Sequence, residues 1–483
     1  MTRKNLRLFR PALAVLGLAT LAACGGGDGV QAPPAEPTRP QDARVFSPVV
    51  EATFAALNGS TVDTDRWTGV LNNAAYRVEV PKTGWNGKLV MWVHGYRGTG
   101  PNLTVDNPIM RRYLLDNGYA WAASSYSKNY YDVRAGVEDT NALALNFSAI
   151  ATAKGRPLST PSKIFITGVS MGGHITGAAI DAEVQANANN KVKYAGAVPM
   201  CGVLGDTELF NYFGGYQVAA QQLAGVPITR FPTMDFAAVT PTIQTALWST
   251  FPTQTNAQGD KLKNVVMNLS GGDRPFFKEG WANATNQNNI FASLGGDGTI
   301  NSILNDNVLD TTSLFYKVDA SSTATTSVDT AFNNAAFKIT PTADANRLRR
   351  DGLRWIPLTS ANINIPVVSI HTLGDLFVPF KMEQVYFDRA KARGTDKFLV
   401  QRAIRDVGHC AFTAAEATTA FDDMIKWEAG GPKPAGDDVK TAATLASPTY
   451  GCAFTKNTAS AEDYTSPTAR AAFQAGYPVC PVN

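Results

Sequence analysis

The stretch that most constrains this chain is Ile164-Phe165-Ile166-Thr167-Gly168-Val169-Ser170-Met171-Gly172-Gly173-His174. A β-branched, apolar run leads directly into Gly-Val-Ser-Met-Gly and then into small residues. A serine so placed sits on a sharp turn between a buried strand and a helix, with its hydroxyl held out from the backbone. The glycines two positions to either side matter because the turn is strained and a Cβ there would clash. Gly173, Gly177, Ala178 and Ala179 let the following helix pack closely on a sheet. The segment predicts a strand over 163–167, a nucleophile at Ser170 and a helix behind it.

The remainder reads as strands alternating with helices. Tyr76–Val80 alternates as a strand, Asn86-Gly87 marks a turn, and Lys88–Val93 is a continuous apolar strand. Tyr119–Ser124, Tyr194–Pro199, Val367–His371 and Phe398–Ala403 read as further strands. Leu143, Phe147 and Ile150 recur at helical spacing, with Asp139 or Thr140 as the N-cap. Thr413-Ala414-Ala415-Glu416 has capping-box spacing, and Ala417, Phe421 and Met424 continue one apolar face. The order predicts an α/β fold with a mostly parallel sheet flanked by helices. Residues 51–205 and 356–430 form its core. The interruption at 206–355 is domain-sized and rich in Asn, Thr, Ala and Asp. Trp248, Trp281, Phe291 and Leu314 give it too much apolar surface for disorder, so it reads as a large, mainly helical lid insertion. Residues 431–483 read as a loop-rich annex.

The N-terminus bears on location. Arg3, Lys4, Arg7 and Arg10 precede an apolar run, Pro11–Ala23, too short to span a bilayer. Residues 1–23 thus read as a signal peptide, and 24–50, rich in Gly, Pro and polar residues, as a flexible tether. Leu21-Ala22-Ala23-Cys24 resembles the lipobox of bacterial lipoproteins, which implies cleavage before Cys24 and lipidation of its thiol. With Gly25 rather than Asp next, that resemblance implies transfer to an outer membrane, on its periplasmic or surface face. No later apolar run reaches membrane-spanning length, so attachment is expected by lipid only. Removing the four basic signal residues takes the formal net charge from +3 to about −1. No electrostatic footprint for nucleic acid remains. Cys201, Cys410, Cys452 and Cys480 then form an even set for an oxidising compartment, with three possible pairings.

With its strand-turn-serine and its strand order, the chain resembles an α/β-hydrolase over Tyr76–Gly205 and Ile365–Trp427. That resemblance implies a serine, an acid and a histidine in this chain order, after successive strands of one sheet. The acid position falls on His371-Thr372-Leu373-Gly374-Asp375 and so on Asp375, with Asp206 as its rival. The histidine position falls on Asp406-Val407-Gly408-His409 and so on His409. The chemistry requires these types: a serine attacks an acyl carbon only when a base takes its proton, and imidazole can return that proton to the leaving group. An aspartate holds the imidazole tautomer. The tetrahedral oxyanion needs aimed donors. The Met171 N–H directly follows the nucleophile, and His94-Gly95-Tyr96 resembles the superfamily's oxyanion turn, which implies the Tyr96 N–H.

Three of the chain's four histidines are thereby given other work. His94 braces the oxyanion turn, His174 packs on the nucleophile helix, and His371 is a core histidine on a strand. No histidine or cysteine spacing suits a metal site, and neither metal nor cofactor is expected. On this fold Cys201 ends the strand after the nucleophile helix and Cys410 adjoins the base, both at the carboxyl edge of the sheet. This favours Cys201–Cys410, leaving Cys452–Cys480 to staple the annex. The His409-Cys410 pair is similar to the tannase and feruloyl-esterase group, although Val169 stands where that group has a cysteine before the serine. Tyr126, Tyr130 and Tyr131 either line the substrate pocket or lie on a surface loop. The sequence thus points to a lipid-anchored serine hydrolase acting on small-molecule or polymer carboxylic esters. A peptidase or amidase with the same triad and a catalytically silent binding lipoprotein are the alternatives.

Overall fold

A computed structural model of the chain describes residues 35–228, 236–294 and 303–480. The signal segment and Cys24 lie outside them. Contacts divide the chain into units 1–37 and 38–483, and the second holds all the described secondary structure.

Its centre is a sheet of eight strands: β1 (Thr64–Leu71), β2 (Ala74–Pro81), β3 (Lys88–Val93), β4 (Ala120–Ser124), β5 (Lys163–Val169), β6 (Gly196–Met200), β7 (Val367–Thr372) and β8 (Leu399–Ile404). Their spatial order is β8-β7-β6-β5-β3-β4-β2-β1. β2 runs antiparallel to both neighbours, and every other adjacent pair is parallel. This is the arrangement that the α/β-hydrolase resemblance implies. The central strands read as unbroken apolar runs because both faces are covered. Leu89, Met91 and Val93 of β3 belong to one core cluster, while Val90 and Trp92 belong to the other.

Two helices on the first face are α1 (Val133–Ala153) and α2 (Met171–Ala179), the latter packed on β5 and β6. The insertion opens with α3 (Glu208–Ala224). After β7 come α4 (Lys381–Arg393), then α5 (Ala414–Glu428), whose Phe421 and Met424 fill the second core, and α6 (Pro467–Gln474) in the annex. The capping box of α5 forms as expected: the Thr413 hydroxyl accepts from Glu416 N at 3.2 Å and Glu416 accepts from Thr413 N at 2.9 Å.

Two expectations need correction. α1 begins at Val133, not near Asp139 or Thr140, because Asp132 caps it by accepting from Ala135 N at 3.1 Å. Asp139 instead accepts from the Ser127 N–H of the preceding loop at 2.6 Å. The tether expected over 24–50 is docked from Thr38 onward. Gln41 is buried and donates to Asn129 O at 2.8 Å, Arg39 pairs with Asp132, and Ser47–Pro48 lies parallel to Asn102–Leu103. Polar composition conceals this docking because the anchors are themselves an arginine and an amide meeting buried acceptors at the start of α1.

The insertion is mainly helical, with Phe236–Leu247, Ala257–Leu269, Phe277–Trp281, Ala284–Ser293 and Ser327–Ala335 following α3. Part of its Asn and Thr content is helix capping: Asn256, Asn283 and Thr326 each accept N-terminal amide protons. The annex closes the outer edge of β8. Asp437 N donates to Gln401 O, and Ala403 N donates to the Asp437 carboxylate, each at 2.8 Å. No helix among the described residues is long and apolar enough to cross a membrane.

Candidate active site

The turn between β5 and α2 places Ser170 at φ 60°, ψ −123°, a left-handed conformation that a non-glycine residue adopts only under strain. Close approach explains the flanking glycines. A Cβ on Gly172 would lie 2.1 Å from Val93 O and 2.6 Å from His94 O, and one on Gly168 would lie 2.4 Å from Val93 O. Val93 O cannot yield without breaking the register of β3 against β5, where Val93 pairs with Gly168. The serine amide is fixed by donation to Met200 O at 3.0 Å.

The carboxyl ends of β7 and β8 bring Asp375 and His409 to this hydroxyl. His409 Nε2 lies 2.8 Å from Ser170 Oγ, and His409 Nδ1 lies 2.6 Å from Asp375 Oδ2. The other oxygen of Asp375 accepts from Phe377 N at 2.9 Å and Val378 N at 3.0 Å, so the carboxylate cannot rotate freely. The two loops are knitted together: Gly374 N donates to Asp406 O, and the Thr372 hydroxyl donates to Gly408 O, each at 2.9 Å. The rival acid Asp206 is engaged elsewhere, accepting from Arg389 at 2.6 Å and from Thr359 N at 3.1 Å.

The His94-Gly95-Tyr96 turn abuts Ser170. A Cβ on Gly95 would lie 3.1 Å from Ser170 Cβ and 3.5 Å from its Oγ. His94 is buried and donates Nδ1–H to Gly95 O at 2.7 Å, stacking on Tyr126 with ring centroids 4.1 Å apart. Burial, then the charge of Arg97, lowers its pKa to about 4, so this imidazole stays neutral and serves as a brace. Met171 opens α2, and its N–H lies among the first helical donors, which have no partner within the helix.

Of the three tyrosines left open by the sequence, Tyr126 is buried and donates to His94 O at 2.9 Å. Tyr131 is buried against His174 Nδ1 at 3.0 Å. Neither is a surface aromatic; both are supports. Tyr130 packs instead on the docked N-terminal segment, against Phe46 and the guanidinium of Arg44. His174 also reaches Pro357 O at 2.8 Å, the packing role expected of it. The aromatic wall beside His409 comes from residues that sequence did not single out. Phe377 stands edge-on to His409 at 5.3 Å and stacks on Phe213 of α3, so the insertion reaches the site.

Cysteine pairing is Cys201–Cys410 and Cys452–Cys480. The first bridge touches both Ser170 and His409: Ser170 N lies 3.3 Å from Cys201 Sγ, and Cys410 Sγ lies 3.4 Å from His409 Nε2. Cys201, His409 and Cys410 are also the one grouping of metal-ligand types found among the described residues. Their sulfurs are joined to each other, so neither is a thiolate ligand.

The annex holds the histidine loop from behind. Arg470 of α6, 2% exposed, donates to Asp406 Oδ2 at 2.6 Å and to both oxygens of Glu416 at 2.9 and 3.0 Å. Asp406 in turn accepts from Val407 N at 2.6 Å and Gly408 N at 3.2 Å, just ahead of His409. A lone arginine in a loop-rich tail carries no sequence signal for this. Arg470→Met is expected to cost about 3–5 kcal/mol of stability at neutral pH, because two buried carboxylates lose their cation. Burial already raises the pKa of Glu416, with Arg470 opposing it, so the variant should raise it further. The loss should therefore shrink as pH falls and that carboxyl protonates in the folded state. Denaturant midpoints at pH 8 and pH 5 check this; an equal loss at both would contradict it.

No protein-family model matches the chain. A stretch of 62 residues, 13% of this chain, is 32% identical to the o-phthalyl amidase of Xanthobacter agilis, and spans 14% of that protein. Among solved structures, feruloyl esterase B from Aspergillus oryzae is 15% identical, with 82% of this chain and 87% of that chain covered at a TM-score of 0.41. The acylaminoacyl peptidase of Pyrococcus horikoshii is 11% identical over 79% of this chain at a TM-score of 0.37; the match covers only 44% of the peptidase. The cell-wall-degrading esterase LipA from Xanthomonas oryzae is 13% identical, with 74% and 83% covered, at 0.32. None of these likenesses decides what the site does.

Proposed function

We propose that the protein is a serine hydrolase that cleaves carboxylic esters through an acyl-enzyme, with Ser170 as nucleophile, His409 as base and then acid, and Asp375 as its orienting carboxylate. One observation carries this reading: the unbroken line of contacts from Ser170 Oγ through both ring nitrogens of His409 to Asp375, at 2.8 and 2.6 Å. In this mechanism the serine proton passes to His409 Nε2 as Oγ bonds to the acyl carbon, and the carbonyl electron pair moves onto oxygen. Collapse of that intermediate expels the alcohol oxygen, which takes the proton from Nε2–H. Water then repeats the sequence on the acyl-serine and regenerates Oγ–H. The N–H groups of Met171 and Tyr96 are assigned to the oxyanion, each contributing about 3 kcal/mol of barrier lowering. No step calls for a metal or cofactor. Attachment to a bacterial outer membrane through lipidated Cys24 belongs to the same proposal.

The second reading, amide hydrolysis, is favoured by the 62-residue likeness to an amidase. A p-nitrophenyl ester and a p-nitroanilide of the same short acyl group separate the two. Ester turnover is expected to exceed anilide turnover at least a hundredfold in kcat/KM. Anilide turnover equal to or above ester turnover would replace the ester reading with the amidase one.

A further inference from the structure

Behind Asp375 lies a second pair of titratable groups that the mechanism above does not use. His371 of β7 and Glu383 of α4 are fully buried, as Asp375 is. His371 Nε2 lies 2.8 Å from Val378 O and 3.8 Å from Asp375 Oδ2, while its Nδ1 lies 3.4 Å from Glu383 Oε1. A backbone carbonyl can only accept, so Nε2 carries a proton. Nδ1 makes no hydrogen bond, so in a neutral ring its bare lone pair would lie buried 3.4 Å from a carboxylate oxygen. Protonating Nδ1 converts that repulsion into attraction and sets one positive charge between two buried carboxylates, each otherwise costly to bury. Glu383 is kept in place by the hydroxyl of Ser369 and the amide of Gln401, each at 2.5 Å.

We propose that His371 is a positioning residue, held as a buried imidazolium between Asp375 and Glu383, whose charge sets how readily His409 accepts the serine proton. This rests on the Ser-His-Asp reading of the site. The line of groups then runs Ser170, His409, Asp375, His371, Glu383, with alternating sign behind the base. The cation offsets part of the Asp375 charge that His409 faces across its 2.6 Å contact. Other charged or titratable groups around it are consistent. Arg274 is buried and donates to Leu373 O at 2.7 Å, and burial lowers its pKa to about 10, leaving it cationic beside Asp375. Burial holds the Tyr212 and Tyr450 phenols well above their ordinary range, so both are neutral. For His371 burial pulls downward, but Glu383, Asp375 and the Val378 carbonyl together prevail and the net direction is upward.

Only four histidines occur in the chain, so selective ring ¹⁵N labelling of the full protein is tractable. At pH 8.5 one histidine is expected with both ring nitrogens protonated, and its signal should vanish in His371→Gln. In parallel, the rate at which a fluorophosphonate labels the protein is followed against pH. The acid limb of this profile should move upward by about one pH unit in His371→Gln, the scale of one charge acting across several ångströms of protein. At pH 6 labelling should therefore slow roughly tenfold more than at pH 9, since one unit is tenfold. Four neutral rings at pH 8.5 would overturn the proposal. A loss of labelling rate equal at every pH would also overturn it, as a purely structural role would give that result. If His371→Gln does not fold, the wild-type spectrum alone still decides the charge state. A wild-type protein that shows the imidazolium but never labels would refute the hydrolase reading and leave the charge assignment standing.

Discussion

Ser170→Ala is expected to lower kcat for ester hydrolysis by about a million-fold, the scale on which triad nucleophiles act as a unit. The structure makes this a clean deletion. Alanine tolerates the strained φ of 60° no worse than serine, and the backbone donation to Met200 O does not involve the side chain. Only the hydroxyl facing His409 Nε2 at 2.8 Å is lost. The thermal midpoint should stay within about 2 °C, since a partly exposed methyl-for-hydroxymethyl exchange changes stability by less than about 0.5 kcal/mol. Steady-state kinetics with a chromogenic ester and a melting curve on the same preparation check both halves. Activity within a hundredfold of the parent would remove Ser170 from the mechanism.

The second large effect is expected at Asp375→Asn, where kcat should fall about ten-thousand-fold without loss of the fold. The reason is specific to this loop. The oxygen of Asp375 that accepts from Phe377 N and Val378 N can only be replaced by the amide oxygen of asparagine. The NH₂ group is then forced onto the side facing His409 Nδ1, the contact that is 2.6 Å in the parent. A donor there demands that Nδ1 accept, which moves the ring proton to Nε2. His409 in that tautomer cannot take the serine proton. Asp375→Ala, lacking the forced donor, should retain more activity than Asp375→Asn. The reverse order would contradict the tautomer argument, and equal losses would show that the carboxylate acts by charge alone.

Much of this site was legible in the sequence, and what was not legible has physical causes. The turn at Ser170 announced itself because a serine on a tight strand-to-helix turn needs glycines where backbone passes within 3 Å of a would-be Cβ, as at Gly168 and Gly172. The central strands were legible because burial on both faces leaves unbroken apolar runs such as Leu89–Val93. Asp375 and His409 were reachable through the α/β-hydrolase resemblance, which implies an acid and a histidine after successive strands, and Cys201 with Cys410 by their place at the sheet's carboxyl edge. What escaped were interactions between residues distant in sequence and individually ordinary. Arg470 meets Asp406 and Glu416 across 64 and 54 residues, and Arg39 meets Asp132 across 93. His371 read as a satisfied core histidine because nothing local shows that α4 sets Glu383 against its ring. The start of α1 was missed because its cap, Asp132, precedes the apolar periodicity by several residues and draws its support from the N-terminal segment.

The central claim is that Ser170 is an activated nucleophile, and active-site titration tests it most directly. The protein is treated at pH 8 with a fluorophosphonate, digested, and the modified residue located by mass spectrometry. Near-stoichiometric modification of Ser170, abolished in His409→Ala, is the predicted result. A well-folded protein that remains unmodified, or that is modified at another serine, would contradict the account.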